Sequence, residues 1–187
     1  MKTSKKGQAL IQKWESCKLE AYMAVEQVKL FKETGIKEFT IGYGATYIPS
    51  GITLGVNGET VSFNSNSPIE EGMYLNSKAD ANALLDHMIP TYEKYVNDCL
   101  KVKVSQDQFD ALVSFTFNIG GAALSKSTCM RVLNQGNYAL ASAEMGRWDN
   151  VGPNEVKGLE NRRVEEMALF NSALNTISFS PKFLGIF

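Results

Sequence analysis

Trp14-Glu15-Ser16-Cys17-Lys18-Leu19-Glu20-Ala21-Tyr22, followed further on by Thr40-Ile41-Gly42-Tyr43-Gly44-Ala45-Thr46, is the stretch on which the reading of the fold turns. Upstream of it, Ala9, Leu10, Ile11 and Trp14 recur at roughly helical spacing, leaving Lys6, Gln8, Gln12 and Lys13 for water. That pattern predicts an amphipathic helix over 5–16 with Ser4 as its N-cap. Glu15 then stands at the C-terminal end, where the negative pole of the helix dipole and the apolar Trp14 both favour the protonated acid. A carboxylic acid that keeps its proton near neutral pH is what a general acid must be. The second string carries β-branched and aromatic residues with Gly42 and Gly44 among them, and glycine in a strand marks a bend or a close approach of another molecule.

Outward from this stretch, residues 18–63 read as a β-rich region. Asn57-Gly58 between the β-prone runs 51–56 and 59–63 is a strong hairpin signature. Residues 64–72, rich in Asn, Ser, Glu and Gly, read as a mobile loop. From Ser77 the pattern turns helical. One helix is expected from Lys78 to Met88, broken or kinked at Pro90 and resuming through Tyr92, Tyr95, Val96 and Cys99. Ser105-Gln106-Asp107-Gln108 is a capping box opening a largely apolar, buried helix over 106–119, stopped by Gly120-Gly121. Shorter helices are predicted over 128–133, 138–145 and 159–173, with a turn at Gly152-Pro153-Asn154. An apolar tail at 178–187 (Pro181, Phe183, Leu184, Ile186, Phe187) is read as docking on the body or on a partner. The expected class is α+β in a single domain, 1–187: an N-terminal helix (5–16), a small β-rich lobe (17–76), a larger helical lobe (77–174) and a tail (175–187). A ligand cleft is expected between the lobes.

Composition narrows the function classes. The chain has 187 residues, 44% hydrophobic and 21% charged, enough to bury a core and too apolar for disorder. No apolar run approaches the ~20 residues of a membrane span, and no apolar segment follows the basic N-terminus, so no signal peptide is read. A net charge of −1 offers no general attraction to nucleic acid. Cys17, Cys99 and Cys129 lack metal-ligand spacing and read as reduced thiols; with one histidine, His87, neither a metal site nor His-based nucleophilic chemistry is expected, and no cofactor is implied.

The stretch resembles the active-site front of the phage-type lysozymes, in which a helix ends in a catalytic Glu, an "L-x-A-Y" step follows and a hairpin delivers "T-I-G-Y-G". The second half resembles the same family. Gln108 to Gly120 is similar to its core helix ending in "N-x-G", Ser127-Thr128 with Arg131-Val132-Leu133-Asn134 to its "S-T…L-N" helix, and Arg147-Trp148 with Gly158-Leu159-Glu160-Asn161-Arg162-Arg163 and Glu166 to its close. The likeness covers about residues 5–174 in order. It implies a lysozyme-like fold and a muramidase cleaving the MurNAc–GlcNAc β-1,4 bond of bacterial peptidoglycan. Glu15 would be the proton donor and Thr40 would help hold the attacking water. Substrate contacts would come from Tyr22, Tyr43, Gly44 and Asn118, although Asn118 reads equally as a helix-end structural residue. Arg162, Arg163 and Glu166 read as a structural ion-pair set.

Where the family carries an Asp, or in some members a Cys, nine residues after the Glu, this chain has Ala24; where it usually has His, this chain has Ala45. Four explanations stand side by side. A substitute carboxylate can take over: in an extended strand Glu26 shares a face with position 24, and Glu38 with Thr40, while Glu33 has no assignable direction. The Asp can have been removed to leave an inactive form. A lytic transglycosylase can work with Glu15 alone, because the muramic 6-hydroxyl is its nucleophile. Or the chain is a non-catalytic glycan-binding or adaptor domain. The remaining expectations are a monomer made in the cytoplasm and acting in the periplasm or on the wall. A phage or a secretion system would deliver it, with a delivery or immunity protein as a further partner.

Overall fold

The computed structural model describes residues 1–56, 58–151, 154–155 and 157–177. Three expectations lie outside the described residues: the Asn57 half of the hairpin turn, the Gly152-Pro153 turn and the 178–187 tail. The chain divides into two compact units, Gln12–Pro90 and Met1–Ile11 with Thr91–Phe187.

The unit Gln12–Pro90 is built on a helix end and a sheet. Helix α1 (Lys5–Trp14) leads into β1 (Lys18–Tyr22), α2 (Val25–Thr34) and β2 (Thr40–Gly42), and the short β3 (Tyr47–Ile48) follows. After these come β4 (Thr53–Val56), β5 (Glu59–Ser62), β6 (Ser67–Pro68) and β7 (Met73–Tyr74), and α3 (Lys78–Cys99) leaves the unit. Five strands form one antiparallel sheet in the order β2-β1-β7-β4-β5. The β4–β5 hairpin closes with Val56 opposite Glu59, the two-residue connection that Asn-Gly predicts, and Gly58 takes the φ of +87° such a turn needs. Ile41, Ile48, Leu54, Leu75, Leu84 and Leu85 are buried and form its core; each such side chain removed from water is worth about 1.5–3 kcal/mol.

Three expectations need correction here. The region after Tyr22 is not all strand, because residues 25–34 form α2. Its Val25, Val28 and Phe31 fall at helical spacing, and Gly35, at φ +76°, closes it by donating its N–H to the Phe31 carbonyl at 2.8 Å. The 64–72 loop contains a ladder, Ser67–Pro68 against Tyr47–Ile48, with Ile69 buried beside it. Proline is tolerated there because a two-residue strand asks for few donors. And α3 neither stops nor restarts at Pro90. The ring has no N–H for the carbonyl of Asp86, but the helix runs on through all 22 residues, since one missing bond is a small part of its ladder.

The second unit is helical: α4 (Gln106–Ile119), α5 (Gly121–Lys126), α6 (Thr128–Leu133), α7 (Tyr138–Gly146) and α8 (Lys157–Ile177), with a short β8–β9 ladder (Asn150–Val151, Asn154–Glu155). Helix α4 is its core, buried continuously from Gln108 to Thr116 and packed on α8. The capping box forms as expected, with Gln108 N–H donating to Ser105 Oγ at 3.1 Å and Ser105 N–H donating to Gln108 Oε1 at 2.9 Å. Ser105→Ala is therefore expected to cost about 1 kcal/mol in urea unfolding, the usual worth of an N-cap. Gly120 stops α4, but Gly121 opens α5 rather than a loop. A Cβ on Gly121 would lie 2.3 Å from the Tyr95 ring, so the close approach requires glycine.

Glu166, fully buried on α8, accepts from Ser114 Oγ at 2.7 Å, from Arg162 Nε at 3.0 Å and from Arg163 Nη1. Arg162 also donates to the Ser114 carbonyl and Arg163 to the Trp148 carbonyl, and the Arg163 guanidinium lies 4.9 Å from the centre of the Phe115 ring. The three charges therefore form the structural set read from the sequence.

Candidate active site

Helix α1 ends at Trp14, so Glu15 lies not in its last turn but in the bend that follows, where it is half-buried. The chain turns there directly into β1. At the far end of β1, Tyr22 is paired across the sheet with Thr40 of β2, beside a register irregularity. Burial raises the Tyr22 phenol above its ordinary pKa, and the negative charge of Glu15 raises it further. The Glu15 charge thus acts on Tyr22, and Tyr22 is paired with Thr40 across the sheet, which links three residues that are far apart in sequence. Thr40 is almost fully buried, and its hydroxyl donates to Gln27 Oε1 at 3.0 Å.

Beyond Thr40 the chain makes a tight loop. Ile41 and Ala45 exchange both backbone hydrogen bonds at 2.9 Å, and Gly42 and Gly44 take φ values of +63° and +94°. Gly44 is exposed, and no atom lies within 4 Å of where its Cβ would be, which leaves bare backbone open to a ligand.

Residues 12–166 match the phage lysozyme family. The chain belongs to the phage lysozyme family. It is 36% identical to the endolysin of Bacillus phage PZA over 172 residues, which cover 92% of this chain and 56% of that protein. It is 32% identical to an endolysin of Acyrthosiphon pisum secondary endosymbiont phage 1, covering 92% of this chain and 100% of that one. This chain thus spans little more than half the length of the PZA relative and of the endolysin of Bacillus phage B103. Among solved structures it is similar to the muramidase domain of SpmX from Asticaccaulis excentricus, with a TM-score of 0.69, 28% identity, and 90% and 97% of the two chains covered. The endolysin of Escherichia coli O157:H7 phage FAHEc1 matches with a TM-score of 0.69 at 29% identity, covering 92% and 95%.

Within this member of the family, several expected site residues have other surroundings than a strand reading predicts. Ala24 is the N-cap of α2, with φ −67° and ψ 165° and no side-chain cap. Glu26 is therefore not on a strand sharing a face with position 24; it is exposed in the first turn of α2, where an acidic side chain suits the positive end of the helix dipole. Glu38 is exposed outside any strand, and Glu33 is exposed on α2, 3.9 Å from Lys29. Tyr43 is 1% exposed, so its ring cannot offer a face to a sugar. Its hydroxyl donates to Asn82 Oδ1 at 3.1 Å, and it is a scaffold residue, because the positive-φ glycines on either side turn it into the core. Burial, and after it the neighbouring Cys17, raise the Tyr43 phenol. Ala45 is buried too. Asn118 is exposed, and its Oδ1 accepts from Arg163 Nη2, so the side chain serves the charge set of its own unit.

The residue that sequence reasoning missed is Gln27. It is 8% exposed and accepts at a single oxygen from both the Ala24 N–H, at 2.7 Å, and the Thr40 hydroxyl. Its sequence signature is half a capping box, a Gln at N3, but without Ser, Thr or Asp at the N-cap that half is easily passed over.

The open N-cap yields a prediction. Ala24→Asp is expected to raise stability by about 1 kcal/mol, because a carboxylate there can accept the free N–H groups of the first turn. The helix dipole holds such a carboxyl below its ordinary value, so the gain is complete above about pH 4 and disappears as pH falls through the lowered value. Thermal unfolding at pH 7 and pH 3, against the parent chain, checks both magnitude and sign.

Proposed function

We propose that this chain is a peptidoglycan muramidase that hydrolyses the β-1,4 bond between MurNAc and GlcNAc, with Glu15 as the proton donor. The observation that carries this reading is the half-buried Glu15 at the α1–β1 bend, whose charge acts on Tyr22, the residue paired with Thr40. Family membership and the likeness to an endolysin and to a muramidase domain support it. In the proposed reaction Glu15 gives its proton to the leaving glycosidic oxygen. Bond breaking leads, as in an oxocarbenium-like transition state. A water held at Thr40 adds to the anomeric carbon and releases a proton to solvent, from which Glu15 is recharged. Tyr22 and the open backbone at Gly44 are the proposed sugar contacts.

Neither Glu26 nor Glu38 takes the strand position that would let it act for the family Asp, and Ala24 has no acid–base function. That favours, as the second reading, a lytic transglycosylase in which the muramic 6-hydroxyl replaces water. Purified sacculi treated with the chain decide between them. Release of new reducing ends is expected from hydrolysis, and 1,6-anhydromuramic ends would replace the first reading by the second. Binding to sacculi without any product would make the chain a glycan-binding domain instead. Delivery to the wall by a phage or secretion system, and action as a monomer, belong to the same proposal. Among the described residues no helix is long and apolar enough to cross a membrane.

A further inference from the structure

We infer that Gln27 is a positioning residue for the reaction proposed above, fixing the direction in which the Thr40 hydroxyl can accept a hydrogen bond. The inference rests on the muramidase reading and deepens it. The identity of the Gln27 atom is settled by its partners. The Ala24 backbone N–H can only donate, so the side-chain atom 2.7 Å from it must be the carbonyl oxygen. That oxygen has two lone pairs, and Ala24 N–H and Thr40 Oγ1–H fill them.

The consequence falls on Thr40. A threonine hydroxyl has one hydrogen and two acceptor sites. With its hydrogen committed to Gln27, Thr40 Oγ1 can meet any further molecule only as an acceptor. A water bound there must present a hydrogen to Thr40, which turns its own lone pairs away from the threonine, as addition to an anomeric carbon requires. If the hydroxyl could rotate, it could donate to the water instead and occupy the very lone pair that must attack. Gln27 is itself held firmly. It is nearly buried, it stands in the first turn of α2, and the Ala24 N–H pins the same oxygen to that helix start. Helix α2 thus supplies a fixed reference for the Thr40 rotor, and Gln27 acts through Thr40 without touching substrate.

The test compares Gln27→Met, which keeps the length and removes the acceptor, with Gln27→Glu, whose carboxylate still accepts from both donors. Cleavage of soluble peptidoglycan is followed by kcat and KM, with Glu15→Gln and Thr40→Val beside them. Gln27→Met is expected to lower kcat by about tenfold to a hundredfold while KM changes by less than about twofold. Gln27→Glu is expected to keep kcat within about threefold at neutral pH and to lose it on acidification, as the carboxyl protonates and becomes a donor. In a Thr40→Val background, Gln27→Met is expected to cost nothing further. The Thr40 hydroxyl proton, followed by NMR without substrate, is expected to exchange slowly with water in the parent and faster in Gln27→Met.

Undiminished kcat in Gln27→Met while Glu15→Gln is inactive overturns the inference and leaves the muramidase reading intact, as does an equal further loss in the Thr40→Val background. Full activity in Glu15→Gln fails the muramidase reading, and the inference with it. A Thr40 hydroxyl proton that exchanges freely with water in the parent chain overturns the inference whatever the activity, since that measurement needs no turnover and no altered protein.

Discussion

Glu15→Gln is expected to lower the rate of glycosidic cleavage in purified sacculi by at least about a hundredfold, the lower end of what a positioned general acid contributes. Glutamine has the shape of the acid and none of its acidity. A sugar alkoxide is a poor leaving group, so an unprotonated departure carries the full barrier. The substitutes read from the sequence are not placed to take over: Glu26 and Glu38 are exposed and off the strands, and position 24 is alanine. The substitution also has a signature that needs no turnover. Tyr22 is raised above 10.0 by burial first and by the Glu15 charge second. Removing the charge should bring its ultraviolet titration down toward that value without reaching it, because the burial remains. Linkage gives the matching stability effect. The fold prefers the neutral phenol, so that contribution is whole below pH 10 and is lost as pH rises through the raised value. The variant should therefore lose less stability than the parent on the alkaline side. A variant that keeps more than about a tenth of the activity would remove Glu15 as the donor.

The second large effect is on stability. Glu166→Ala is expected to destabilise the helical unit by about 3–5 kcal/mol, because it takes away the buried carboxylate that two buried guanidiniums share. Arg162 and Arg163 are 3% and 1% exposed, and Glu166 is 0% exposed, so water cannot replace the lost carboxylate. Burial already presses the Arg163 guanidinium below its ordinary value, and Glu166 is the chief group opposing that shift. The Ser114 hydroxyl would lose its acceptor as well. An effect of this size is a large share of the 5–15 kcal/mol that holds a typical domain together. Urea unfolding followed by far-UV circular dichroism measures it as a fall in midpoint. Loss of less than about 1 kcal/mol would mean that the arginines find other partners, and the set would no longer explain the α4–α8 packing.

Legibility followed local chemistry. The span of α4 could be read because Ser105, Gln108 and Gly120 mark both ends with side chains and backbone that do the capping. The β4–β5 turn was readable because Asn-Gly is one of few pairs that fit it. Helix α2 was not, although Val25, Val28 and Phe31 have its period. It begins at an alanine with no capping side chain and lies where the family resemblance suggests strands. That single miss propagated: with a strand assumed, Glu26 looked like a substitute base and Gln27 looked like nothing. Tyr43 was misread for a different reason. Aromatic residues among glycines suggest a sugar platform, and only the φ values of Gly42 and Gly44 turn this one inward. Glu15, Tyr22 and Thr40 stand out in the sequence because the family motif carries them in order, while the pairing of Tyr22 with Thr40 depends on the β1–β2 register.

The three thiols differ in a way that has a practical use. Cys129 is buried, and that burial, with Glu144 second, pushes it to about 12, so it stays protonated and silent toward alkylating reagents. Cys17 is half-buried, two residues from Glu15 and against Tyr43. With Cys99 replaced by serine, a small fluorophore on Cys17 would sit two residues from the proposed proton donor. A change in its brightness on adding peptidoglycan would then follow, in real time, the binding that the proposed function expects.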